Sequence, residues 1–166
     1  MAVWWQEVGN TVRQEFSDLP DAAGVTRIAL RLLIAAILGG ILGFEREQKG
    51  KAAGLRTHML VALGAALFVL IPQQAGMSDA DLSRVLQGLV AGIGFLGAGT
   101  IIKGNGEEEI KGLTTAAGIW LTAAIGVATG MGREATAVLS TLLALIILYT
   151  VPQIARRVGG FRFLSR

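Results

Sequence analysis

The sequence predicts an all-α, polytopic membrane helix bundle with five transmembrane helices and an N-terminal interfacial amphipathic helix. Three observations carry that reading. Apolar residues make up 52% of the 166-residue chain and charged residues only 16%, against about 25% charged in an average soluble domain. The 23 glycines sit inside apolar runs without a three-residue period. That excludes collagen-like and disordered chains and suits helices packed closely in lipid. Five apolar segments recur: Ile28 to Phe44, Met59 to Ile71, Val85 to Ile102, Leu113 to Met131 and Ala135 to Val151.

Crossing a ~30 Å hydrocarbon core takes about 20 helical residues, with a range of roughly 17 to 25. Four segments reach that length unaided. The second spans only by borrowing Leu55 to His58 and Pro72 to Gln74, and is read as doing so. Before the first span, Trp4, Val8, Val12, Phe16 and Leu19 recur at helical spacing between Glu7, Asn10, Arg13 and Gln14. Residues 1–26 therefore read as an amphipathic segment, with Trp4 and Trp5 as headgroup anchors. Residues 27–152 form the membrane domain and 153–166 a basic tail. The N-terminus lacks a basic region leading to a cleavage site, so no cleaved signal peptide is expected.

Basic residues set the expected orientation. One side holds Arg46, Lys49, Lys51, Arg56, Lys103, Lys111, Arg156, Arg157, Arg162 and Arg166; the other holds Arg13, Arg27, Arg84 and Arg133. The positive-inside rule puts the N-terminus outside and the C-terminus in the cytoplasm. The net charge of +3 thus reports topology, and nucleic acid is not an expected partner.

Several chemistries are poorly supported. There is no cysteine and only one histidine, so neither a thiolate site nor a catalytic triad can be assembled, and no enzyme activity or cofactor is expected. No Asp or Glu lies inside the five segments, which leaves no intramembrane carboxylate cage for Mg2+ or Ca2+. No metal site is expected.

The third span places Gly88, Gly92 and Gly99 on one side, with Gly94 and Gly97 turned away. Leu86, Leu89, Ile93 and Leu96 share a narrow face that is expected to meet lipid. The glycines serve either tight packing or a broken helix lining a pathway. In the fourth span Thr115, Gly118, Thr122, Gly126 and Thr129 form one small, weakly polar stripe, with Trp120 pointing away. It reads as a packing seam against the third span, or as a lining for water or small ions. Arg31, one turn beyond Arg27, is expected to snorkel to the outer headgroups.

At the inner end of the first span, Glu45, Arg46 and Glu47 precede Lys51, Arg56, Thr57 and His58 across Gly50 and Gly54. Intermixed acids and bases point to a charge network at the cytoplasmic mouth, with Glu45 approaching Arg56 across the hairpin. The run Glu107 to Glu109 after the turn Lys103 to Gly106 either pairs with this loop or stays solvated.

The strings Gly43-Phe44-Glu45-Arg46-Glu47, Lys51-Ala52-Ala53-Gly54-Leu55-Arg56-Thr57-His58, Gly64-Ala65-Ala66-Leu67-Phe68, Gly92 to Ile102 and Gly112-Leu113-Thr114-Thr115-Ala116-Ala117 closely resemble the MgtC/SapB family of bacterial inner-membrane proteins. The positions that match its motifs are Glu45, Arg46, Lys51, Arg56, Thr57, Gly94, Gly97, Gly99, Thr114, Thr115 and Trp120. This chain has Thr114 where some members have Asn, one hydroxyl in place of two donors and an acceptor. The resemblance implies a five-span bundle in a short form, without the C-terminal cytoplasmic domain of longer members. It also implies a role in growth at low magnesium and, in pathogens, survival inside host cells. The expected protein is a homo-oligomer, with a dimer favoured, that binds another membrane complex; the F-type ATP synthase is one such partner. The alternative is a channel or transporter for Mg2+ or another small ion or solute.

Overall fold

The computed structural model describes residues 2–15, 17, 21–103 and 110–157. Among them are six α-helices: α1 (Ala2–Glu15), α2 (Ala22–Gln48), α3 (Leu55–Gln74), α4 (Asp79–Gly99), α5 (Leu113–Gly130) and α6 (Glu134–Arg157). A short antiparallel pair, β1 (Ile102–Lys103) and β2 (Ile110–Lys111), joins α4 to α5, with Ile102 opposite Lys111. Helices α2 to α6 are each long and apolar enough to cross a membrane, so the chain is an all-α integral membrane bundle. The short second segment does borrow its flanks, for α3 continues through Pro72 to Gln74. Phe16, Leu19, residues 104–109 with the acidic run, and Arg162 and Arg166 lie outside the described residues.

The chain forms two compact units, residues 1–30 and 31–166. In the first, α1 exposes Trp4, Trp5, Val8 and Val12, and the two indole rings meet edge to face at 4.5 Å. Asp21 caps α2 by accepting the Gly24 N–H at 2.6 Å.

The second unit is built on α3 and α5, its most closely packed pair. Ala62, Ala65, Ala66 and Val69 of α3 are buried, and Gly126 and Gly130 of α5 face them. A Cβ on Gly126 would strike the Ala62 carbonyl, and one on Gly130 would lie 2.7 Å from that of Ala66. Helix α2 approaches α3 in the same way. A Cβ on Gly39 would lie 2.6 Å from the His58 carbonyl oxygen, and one on Gly43 would lie 2.8 Å from Leu55 Cα. Two Gly-xxx-Gly pairs thus hold α3 backbone to backbone, the contact that lipid-embedded helices use for association.

The stripe on α5 is therefore a packing seam, but it joins the fourth span to the second and not to the third. Thr115, Thr122 and Thr129 are buried along it. Thr122 donates to Gly118 O and Thr129 to Gly126 O, both at 2.8 Å. These hydroxyls are spent within their own helix, as Ser and Thr side chains in helices often are, and offer little to a water file. Trp120 points away, half exposed.

Helix α4 inverts the expected arrangement. Ile93 is buried and Leu89 packs with Ile119 and Ala123 of α5, while Leu86 is half-buried and only Leu96 of the expected lipid-facing set is exposed. Gly97 meets Ala116 at 3.5 Å from a notional Cβ, whereas Gly88, Gly92, Gly94 and Gly99 face open space. The reason is that α5 already gives its small residues to α3. What remains for α4 is a bulkier face, which bulky partners fill best. The helix is continuous through Gly99.

Arg31 also departs from expectation. Its Nη1 donates to Gly130 O at 2.9 Å, and its Nε lies 3.7 Å from Glu134 Oε1. The guanidinium thereby joins the carbonyl end of α5 to the first turn of α6, both favourable places for its charge and that of Glu134. Gly132, with φ +73°, provides the left-handed turn between those helices, and Gly132 N–H to Thr129 O and Arg133 N–H to Ala128 O complete the cap.

Gly126→Ala should lower the melting temperature of the detergent-solubilised protein, since overpacking a tight contact costs about 1 to 3 kcal/mol. Gly64→Ala, where a Cβ meets nothing within 4 Å, should leave it unchanged or raise it, because Ala favours a helix by about 1 kcal/mol.

Candidate functional site

The hairpin between α2 and α3 is closed by backbone chemistry first. At the end of α2, Gly50 takes φ +64°; its N–H donates to Glu47 O and that of Lys51 to Arg46 O, both at 3.0 Å. This double bond pattern caps α2 and turns the chain. Glu47 Oε2 then accepts the Leu55 N–H at 2.8 Å, placing a carboxylate on the positive end of α3. Gly54 leaves the room, since a Cβ there would lie 2.6 Å from Glu47 Oε2.

The charge network forms with different partners from those expected. Glu45 pairs with its neighbour Arg46: one carboxylate oxygen accepts from Nε and lies in ion-pair contact with Nη2. Arg46 is only 4% exposed. Arg56, the expected partner of Glu45, is exposed, as are Lys51 and Thr57. The reason is geometric: Arg46 points into the bundle, so the nearest carboxylate is drawn to the buried guanidinium, and Arg56 keeps its charge in water or headgroups.

His58 is fully buried one turn into α3. Its Nδ1 donates to Gly54 O at 3.0 Å, and a neutral imidazole with its proton there presents a lone pair at Nε2. That Nε2 has no partner. In front of it stands Gly118 of α5, where even a notional Cβ would come no closer than 3.5 Å. Gly118 thus meets a side chain and no neighbouring backbone, unlike Gly126 and Gly130 on the same seam, and with His58 it lines a space between the helices.

That space is a cavity of about 200 Å³ between α2, α3, α5 and α6. Arg46, His58 and Thr114 supply its polar side chains, and Leu42, Leu121, Ala144, Ile147 and Leu148 most of its apolar wall. Arg46, His58, Thr114 and Gly118 were marked out by the sequence, the first two for a charge network and the others for the polar stripe and the packing of the fourth span. The apolar wall was not, because Leu and Ile on lipid-embedded helices carry no signal of what they face. No cluster of three or more His, Cys, Asp or Glu that could hold a metal occurs among the described residues.

A family model described as the MgtC family matches residues 32–157, the stretch that holds all five spans' cores and this hairpin. The chain belongs to the MgtC family. Protein SrpB of Synechococcus elongatus is 41% identical over 150 residues, covering 84% of this chain and 77% of that protein. YhiD of Escherichia coli (strain K12), named as a candidate magnesium transporter, is 41% identical over 136 residues, 77% of this chain and 62% of its own length. Protein MgtC of Salmonella typhimurium is 40% identical over 130 residues, 78% of this chain. The chain spans about half the length of that MgtC, 54%. No solved structure matches it. None of these three names denotes an enzyme.

Glu45→Gln should destabilise the protein by about 3 kcal/mol, because it strands a buried guanidinium, whereas Arg56→Ala should cost less than about 1 kcal/mol. Denaturant titration in mixed micelles measures both. The charge-swapped pair Glu45→Arg with Arg56→Glu should fail to recover the loss.

Proposed function

We propose that this MgtC-family protein is a non-catalytic regulator of the bacterial inner membrane. It acts in adaptation to low magnesium or ionic stress by helix association with a second copy of itself and with another membrane complex. The observation that carries the reading is the outer face of α4. Gly88, Gly92 and Gly99 have open space where a Cβ would stand, Phe95 is 80% exposed beside them, and α4 buries less of its span than any other membrane helix. In lipid, such a face favours association with another helix, since close backbone approach is the main source of affinity there.

The cavity supports regulation over conduction of Mg2+. Its buried groups are a guanidinium and an imidazole, whereas Mg2+ binds through carboxylates and retained waters. Transport of magnesium, which the name of YhiD carries, remains the competing reading. The family resemblance makes the F-type ATP synthase the first complex to test. The excess of basic residues on the α2–α3 side supports an outside N-terminus and a cytoplasmic C-terminus.

Because the chain has no cysteine, Ala91→Cys introduces a single reporter on the α4 face. Oxidation in native membranes should yield a cross-linked dimer, and a photoactivatable cross-linker attached to that thiol should label an ATP synthase subunit. Gly92→Leu should weaken co-purification of that partner at least tenfold without lowering the melting temperature. Liposomes that pass Mg2+ with the parent and the Gly92→Leu variant alike, with no cross-linked species in membranes, would establish conduction instead.

A further inference from the structure

The cavity beside His58 holds a feature that the α4 face does not explain. A fully buried imidazole nitrogen without a hydrogen-bond partner is costly, and His58, with Gly118 of α5 beside its Nε2, lines this cavity. We infer that this cavity is a binding site for a long-chain carboxylic acid of the fatty-acid class, drawn from the bilayer.

The chemistry of the walls selects that ligand. At one end, His58 Nε2 accepts a hydrogen bond while Nδ1 is committed to Gly54 O. Next to it, Glu45 takes the Nε–H of Arg46, which leaves N–H groups on the Nη nitrogens of the guanidinium. A carboxyl group answers both. One oxygen accepts from Arg46, and the other shares a single proton with Nε2. The rest of the wall, Leu42, Leu121, Ala144, Ile147 and Leu148, is hydrocarbon.

Water is a poor tenant of such a space. The volume of about 200 Å³ exceeds the roughly 150 Å³ that admits a benzene molecule in an apolar cavity. A water held against its inner wall needs two to four polar partners, and only Arg46 and His58 offer polar side chains there, Thr114 standing at the exposed rim. A hydrated cation meets the same obstacle and the Arg46 charge besides. Ile147, 58% exposed, stands at the edge of the cavity on α6, so the chain of the acid has a route out along an apolar helix. The Leu42 and Ala144 walls lie deeper, both buried.

The test uses the whole 166-residue chain in phosphatidylcholine nanodiscs doped with carboxyl-labelled oleic acid, read by native mass spectrometry and by the carbonyl 13C signal. One oleic acid per chain should bind, with a carboxyl resonance distinct from that of lipid-dissolved acid. Methyl oleate, which has the same chain but no proton to share, should compete at least tenfold less well. That comparison uses only the parent protein. Gly118→Leu, which fills the space before Nε2, and His58→Phe should each reduce binding at least tenfold while retaining the parent's oligomeric state. Equal competition by methyl oleate, equal binding by a folded Gly118→Leu variant, or no bound acid at all would overturn the assignment. The test is independent of the α4 face, since its readout requires no partner protein.

Discussion

The bundle depends on the closeness with which two helices approach the backbone of α3. Gly39 and Gly43 of α2 and Gly126 and Gly130 of α5 each leave no space for a methyl group against it. In a bilayer, apolar side chains gain little by leaving lipid for protein, so the stabilisation has to come from dispersion across tightly fitted surfaces. Alanines at Ala62, Ala65 and Ala66 keep α3 thin enough for that fit on more than one side. The other helices then take what remains: α4 lays Leu89 and Ile93 on the bulkier flank of α5, and α6 packs Ala137 and Ala144 into the cluster around Leu42 and Ile125.

The same approach fixes the polar end of the molecule. With Gly43 against Leu55 Cα, the ends of α2 and α3 lie so close that Glu47 reaches the first free N–H of α3. Arg46, next in the chain, is forced inward and takes Glu45 with it. His58 sits where Gly39 and Gly43 close over it, within 3.1 Å of their notional side chains. Gly118 meets His58 Nε2 at an ordinary contact distance and no backbone, so that nitrogen is buried without a hydrogen-bond partner. At the opposite end of α5, Arg31 holds the carbonyl of Gly130 and the Glu134 carboxylate together, so charge fastens α5 at one end and lines a cavity at the other.

Much of this was legible in the residues. Five spans, the borrowed ends of α3, the inward stripe of α5 and the outward Trp120 all follow from length and helical spacing. The ion pairing in the α2–α3 hairpin follows from acids and bases too intermixed for a simple topology signal. The choice of partner within it was not legible, because Glu45 had two cations in reach and only burial distinguishes them. Arg31 was misread for a related reason. A cation one turn inside a span can snorkel or bond a helix end, and the acceptor at Gly130 lies 99 positions away.

The orientation of α4 was misjudged through a deeper ambiguity. In water, a helix with leucines on one face and glycines on another declares its inside, because burial of the leucines is favoured by tens of calories per Å². In lipid that term vanishes for both faces, and the periodicity of α4 gives an axis without a direction. What decides it is the neighbour. Helix α5 spends Gly126 and Gly130 on α3 and presents Ile119 and Ala123 to α4, so α4 answers with Leu89 and Ile93 and leaves Gly88, Gly92 and Gly99 facing outward. Glycine thus has opposite meanings on adjacent helices of one chain. On α5 it is a contact already made within the chain; on α4 it is room for another backbone.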